Sequence, residues 1–168
     1  TCRKLAIPIL LHTSSPSITH VGKDIEGEDE SMPVATKFLS PYPATKAQAE
    51  HLVLDANSEH LLTTALRPHL IWGPGDPHIL PRLAASVRNG RLALPGADKV
   101  IDTIFVENAA LAHVLALDEL QGRARCAGQP YFISNAEPMR QADIIPMLLD
   151  AIGIQATVRP ISAGMARK

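Results

Sequence analysis

SPYPATKAQAEHLVLDAN, Ser40 to Asn57, reads as a helix whose start is fixed by proline. Ser40 is a favoured N-cap, Pro41 suits the first helical position, and Pro43 still falls in the first turn, where the N–H it lacks would have had no partner. The pattern predicts a helix running to about Asn57. The prolines account for where it begins and leave Tyr42 and Lys46 unexplained. Four residues apart, these two share a helix face, so their polar ends can reach one small volume. A phenol with a reference pKa near ~10 is a poor acid–base group at neutral pH, but a neighbouring ammonium favours the phenolate and brings it toward the useful range. The pair is a candidate proton donor and acceptor for a carbonyl or alcohol oxygen. A Tyr-x-x-x-Lys spacing also arises by chance, so the flanking sequence has to decide.

Upstream, IPILLHT (Ile7–Thr13) is a short apolar run that stops at Ser14 and Ser15, the pattern of a buried parallel strand. A hydroxyl at that strand end, Ser15, can hold the same oxygen where negative charge develops. Thr13 and Ser14 are adjacent, which leaves the register open by one. Downstream, LLTTALR (Leu61–Arg67) predicts a second parallel strand, limited by Pro68. WGPGDPH (Trp72–His78) is a loop, and Leu80, Leu83, Ala84 and Val87 mark a helix over Ile79–Asn89, closed by Gly90. A strand over Asp102–Phe105, a helix from Val106 to about Leu120, a strand over Tyr131–Ser134 and a helix over Arg140–Ile152, closed by Gly153, complete the pattern. Strands alternating with helices give an α/β class with a parallel sheet. Ser15, Tyr42 and Arg67–Pro68 then follow one another in the order expected of successive strand ends above one crevice.

The 168 residues suffice for one domain or a piece of a larger one, and 46% hydrophobic with 20% charged residues is globular composition. With 16 basic against 17 acidic side chains and no basic run, no nucleic-acid partner is expected. Cys2 and Cys126 have no disulfide or zinc spacing, which fits a reducing, cytoplasmic setting. No stretch is long and apolar enough to span a bilayer, and the opening TCRKLAIPILLHTSS reads as a chain cut within a fold. KDIEGEDE (Lys23–Glu30) reads as a solvated acidic loop.

The other polar candidates have structural readings. His69 and His78 are too far apart, with prolines between, for a metal site, so no metal is expected and His69 is read as lining the crevice. Asp76 suits an Asx turn, and Asp102 starts a strand or holds a loop. Glu107 and Asn108 are at home at a helix start. Trp72 anchors its loop or covers an apolar ligand. Ile144, Ile145, Met147, Leu148 and Leu149 read as core.

TSSPSI (Thr13–Ile18), YPATK (Tyr42–Lys46), LRPHLIWGPGDP (Leu66–Pro77) and IDTIFVENAALAH (Ile101–His113) together resemble the extended short-chain dehydrogenase/reductases. The likeness is greatest to the 3β-hydroxysteroid dehydrogenase-like branch, with its sterol-4-carboxylate 3-dehydrogenases and bacterial 2-alkyl-3-oxoalkanoate reductases. The resemblance implies the later part of a Rossmann-like parallel sheet with a small C-terminal substrate lobe, drawn from about residues 73–100 and 135–168. It implies Tyr42 as general acid/base, Lys46 as the residue that holds the nicotinamide ribose and lowers the tyrosine's pKa, and Ser15 as the hydroxyl that orients the reacting oxygen. Pro68, His69, Leu70 and Ile71 would pass along the nicotinamide of NAD or NADP. The implied reaction interconverts a ketone and a secondary alcohol on a bulky apolar substrate of the long-chain 3-oxo acid or 3-hydroxysteroid type. A nucleotide-sugar epimerase or dehydratase and a non-catalytic remnant are the alternatives. The GxxGxxG turn that opens such folds is absent from these residues, so the N-terminal half of the same fold is the expected partner, and a homodimer is compatible. Gly73 and Gly75 follow the wrong strand to replace that turn.

Overall fold

A computed structural model describes residues 1–162; the last six residues of the expected lobe segment 135–168 lie outside the described residues. Three parallel strands form the main sheet: β1 (Ile9–Thr13), β2 (Leu62–Pro68) and β7 (Pro130–Ile133), in the order β1-β2-β7. The central strand is buried almost throughout: Thr63, Thr64, Ala65 and Leu66 are the small and apolar residues such a strand requires, and Arg67 is buried with them. Helix α1 (Pro41–Leu54) crosses over between β1 and β2, and α3 (Val106–Gln121) precedes β7. The register pairs His12 with Ala65 and Thr13 with Leu66. Arg67, on the His12 side of the pleat, meets α1, whereas Thr13 meets α3. Because successive strand residues face opposite ways, the two helices cover opposite faces.

After Pro68 the chain leaves the main sheet. β3 (Leu70–Trp72) pairs in parallel with β6 (Thr103–Phe105). Beyond it, β4 (Arg91–Pro95) pairs with β9 (Thr157–Ile161), and β5 (Val100–Ile101) pairs antiparallel with β8 (Met139–Arg140). Helices α2 (Ile79–Ser86) and α4 (Gln141–Asp150) pack here. Leu92, Leu94, Ala97, Ile144, Ile145, Leu148 and Leu149 form a second apolar core, with Leu80, Leu83 and Ala84 of α2 against it.

The α/β expectation holds, and the structure corrects several of its parts. α2 stops at Ser86 rather than Asn89, because Asn89 and Gly90 both take positive φ and turn the chain through an Arg88–Arg91 bridge into β4. α1 ends at Leu54 rather than Asn57, whose side-chain oxygen instead accepts from the Thr63 amide at 2.9 Å. Ser40 occupies the N-cap position without a side-chain cap bond. Met147 is 60% exposed and lies outside the core that its four neighbours enter. The acidic loop is not wholly solvated: Glu30 accepts the Phe132 amide on the edge strand β7 at 2.7 Å, and Asp24 pairs with Lys99. Among the described residues no helix is long and apolar enough to cross a membrane.

Candidate active site

β1 ends at Thr13, opposite Leu66 and two residues before the end of β2, and the first turns of α1 lie beside this strand end. Pro41 and Pro43 fix the entry of α1; Pro43, Ala47 and Glu50 form its buried face, and Tyr42 and Lys46 flank that face, one turn apart. The Lys46 ammonium donates to the Thr13 carbonyl at 2.8 Å. Tyr42 is 56% exposed at the mouth.

A cleft of about 650 Å³ opens here. All seven sequence-predicted site residues, Ser15, Tyr42, Lys46, Pro68, His69, Leu70 and Ile71, line it, together with Thr13, Ser14 and the Trp72–Ile79 segment. β1 ends at Thr13, two residues short of Ser15. Pro16 has no amide to continue the ladder, and Ser15 instead caps a 3-10 turn over Pro16–Thr19. Its hydroxyl accepts the Ser17 amide at 3.2 Å and lies 2.8 Å from the Ser17 hydroxyl. The adjacent Ser14 hydroxyl is buried and has no hydrogen-bond partner.

The far wall is apolar. Leu70 and Ile71 are partly uncovered there, and Trp72 is held by its indole N–H to the Thr103 hydroxyl at 3.1 Å and by a tilted contact with Phe105. Trp72 thus both anchors its segment and faces the cleft. Asp76 does more than stabilise a turn: its carboxylate accepts the amides of His78, Ile79 and Leu80 at 2.8–3.1 Å, capping α2. Burial pushes its pKa up, but these bonds outweigh burial and hold it below the usual carboxylate range. Asp102 accepts the Thr103 amide at 2.8 Å, and Asn108 donates to Asn135 at 3.0 Å; both tie loops to elements. His69 is half-buried, and burial lowers its pKa against the opposing charge of Asp102.

Two features escaped the sequence reading. Glu50 and Arg67, each 2% exposed, form a bidentate pair at 3.0 and 2.6 Å, with the guanidinium 5.0 Å above the Phe132 ring. An arginine inside an apolar strand run, and a glutamate in register with Pro43 and Ala47, were the available signals. The second is His113, whose Nε2 lies 2.8 Å from the Thr13 hydroxyl. His113 stands within a quoted motif, but only the fold brings it to the end of β1.

The tyrosine–lysine face, the serine-bearing strand end and the apolar wall are the combination on which the sequence resemblance rested. Residues 1–161 match the 3-beta hydroxysteroid dehydrogenase/isomerase family. The chain is 46% identical over 174 residues to a 2-alkyl-3-oxoalkanoate reductase of Shewanella oneidensis, covering 98% of this chain and 45% of that protein. It is 47% identical over 164 residues to a 2-alkyl-3-oxoalkanoate reductase of Stenotrophomonas maltophilia, covering 96% and 50%. The chain thus spans about half the length of the curated relatives it matches. Among solved structures, a UDP-glucuronic acid 4-epimerase from Bacillus cereus in complex with NAD superposes with a TM-score of 0.77 at 24% identity, over 96% of this chain and 52% of that one, which is a likeness of fold. The chain belongs to the 3-beta hydroxysteroid dehydrogenase/isomerase family, a branch of the extended short-chain dehydrogenase/reductases.

Proposed function

We propose that these residues are the catalytic and substrate-facing part of an NAD(P)-dependent oxidoreductase that interconverts a ketone and a secondary alcohol on a bulky apolar substrate. The observation that carries this reading is the one cleft that Tyr42 and Lys46 line together with the apolar Pro68, Leu70, Ile71 and Trp72, of which Leu70 and Ile71 are exposed. The relatives named as 2-alkyl-3-oxoalkanoate reductases support a long-chain 3-oxo acid as the substrate type.

The residues present fit the nicotinamide end of the cofactor. Pro68, His69 and the partly exposed Leu70 and Ile71 line the cleft together with Lys46, whose ammonium is able to donate to ribose hydroxyls. When bound, the nicotinamide supplies or accepts the hydride. Tyr42 gives its phenolic proton to the substrate oxygen in reduction and takes it back in oxidation. Lys46 stabilises the phenolate that forms, and the Ser15 hydroxyl donates to the same oxygen. The binding of the adenosine end is assigned to a strand–GxxGxxG–helix unit outside these 168 residues. The second core, around Leu92 and Leu149, is the substrate lobe.

One feature weighs against a nucleotide-sugar substrate. The amides at the start of α2, the natural anion site at the cleft mouth, are already engaged by Asp76, and among the described residues Lys46 is the one permanently cationic side chain in the lining. The test is to join the chain to such an N-terminal unit and follow nicotinamide absorbance with a 2-alkyl-3-oxoalkanoate. Tyr42→Phe is expected to reduce turnover by about 10²–10⁴-fold while leaving cofactor binding intact. Epimerisation of a nucleotide sugar without net absorbance change, or full turnover by Tyr42→Phe, overturns the proposal; a joined chain that binds cofactor and turns over nothing makes it a remnant.

A further inference from the structure

Thr13, the last residue of β1, is held from both sides of the sheet. Its carbonyl accepts from the Lys46 ammonium on α1 at 2.8 Å, and its hydroxyl lies 2.8 Å from Nε2 of His113 on α3. The other ring nitrogen of His113, Nδ1, lies 2.7 Å from the Ala109 carbonyl oxygen. A carbonyl can only accept, so in the neutral imidazole Nδ1 carries the proton. Nε2 is then left with a lone pair, and the Thr13 hydroxyl must be the donor to it. One direction of donation therefore runs through the whole set: Lys46 to the Thr13 carbonyl, the Thr13 hydroxyl to His113, and His113 to Ala109.

A lysine side chain has four flexible carbons and is directed only by what its ammonium donates to. Among the described residues the Thr13 carbonyl is the one hydrogen-bond acceptor for Lys46. That carbonyl belongs to the last residue of β1, just before the chain leaves the ladder for the turn at Pro16.

We propose that His113 is a positioning residue for Lys46: by accepting the Thr13 hydroxyl proton it fixes the strand end whose carbonyl aims the ammonium beside Tyr42. This inference rests on the oxidoreductase reading for its purpose and on the hydrogen-bond geometry alone for its content. An ammonium displaced by an ångström no longer serves the phenol equally, so the effect in the complete enzyme falls on turnover more than on substrate binding.

The experiment reads Lys46 directly in the 168-residue chain. An amine-acylating reagent is applied at fixed pH, and modification of each lysine is followed by peptide mass spectrometry, with exposed Lys37 as the internal reference. His113→Phe and Thr13→Val are each expected to raise the Lys46 rate about threefold, the scale of one exposed hydrogen bond, and the double variant no further than either single one. His113→Gln, whose amide oxygen can accept the Thr13 proton, is expected to restore the slow rate. Thr13→Val removes the same bond from the strand side, so a folding defect in His113→Phe leaves the test decisive. Nitrogen NMR of the wild-type chain is expected to show the His113 proton on Nδ1. An unchanged Lys46 rate in Thr13→Val, additive effects in the double variant, or the ring proton on Nε2 overturns the proposal. A joined chain without oxidoreductase activity whose Lys46 still responds in this coupled way refutes the functional reading and supports the positioning role.

Discussion

Asp76 shows how one side chain decides what a loop can offer. The loop Gly73–His78 has to pass tightly against the start of α3. Gly73 has φ +151°, and a Cβ there would stand 2.5 Å from the Val106 side chain, so only glycine allows the approach. Asp76 then turns the chain into α2 by accepting three amides at once. Asp76→Ala is expected to cost about 1–2 kcal/mol, the usual value of a lost cap, read as a lower urea midpoint with unchanged slope. Because the folded-state pKa is depressed, the carboxylate's contribution is complete above its ordinary value and fades as pH falls through the folded one, so wild type and variant converge in acid. A gap that persists at the lowest pH would mean that the loss comes from packing rather than from the cap.

Helix α1 carries the proposed catalytic pair on a face that it could not hold by apolar burial alone. Its buried positions are Pro43, Ala47 and Glu50, two small residues and a charge, so the Glu50–Arg67 pair supplies the contact that a leucine would make elsewhere. Breaking one partner leaves a charge buried. Glu50→Gln is expected to destabilise the chain by about 3–5 kcal/mol, whereas the paired replacement Glu50→Leu with Arg67→Met recovers most of that. Equal stability of wild type and Glu50→Gln in urea would show that water already solvates the arginine. β1 and β7 were legible as short apolar runs, β2 as an apolar and β-branched run stopped by a proline, and α1 by its serine and prolines at the start rather than by an apolar stripe. β5 and β8 span two residues each, too few for any period to register, and β3 is a three-residue run caught between Pro68 and the loop at Gly73. β4 pairs with β9 from the far end of the described chain, a partnership fixed only by tertiary packing, and Arg88–Gly90, the turn that leads into it, was read as the end of the preceding helix and its closing glycine. Glu30 and Asp24 looked solvated for the same reason, since their partners Phe132 and Lys99 are distant in sequence.

Across the whole molecule the main sheet and the second core flank the cleft, and the surroundings of two histidines, His12 and His69, push their pKa values down. Burial lowers the pKa of His12, reinforced by the Lys46 ammonium and opposed by Glu50, and its Nε2 has no hydrogen-bond partner. Burial lowers that of His69 also, with Asp102 opposing. In the unfolded chain both titrate near the ordinary 6.5. Below that value the unfolded state binds protons that the folded state refuses, so stability is complete above it and is lost as pH falls. The chain is therefore expected to melt a few degrees lower at about pH 5.5 than at about pH 8, by circular dichroism. Carboxylates contribute to any acid loss, and the double variant His12→Asn, His69→Asn separates the two causes. Its melting temperature is expected to change less over the same interval, because asparagine neither titrates nor leaves a charge to bury. A slope identical to wild type would assign the acid sensitivity to the acidic side chains and place both imidazoles in contact with enough water to ionise freely.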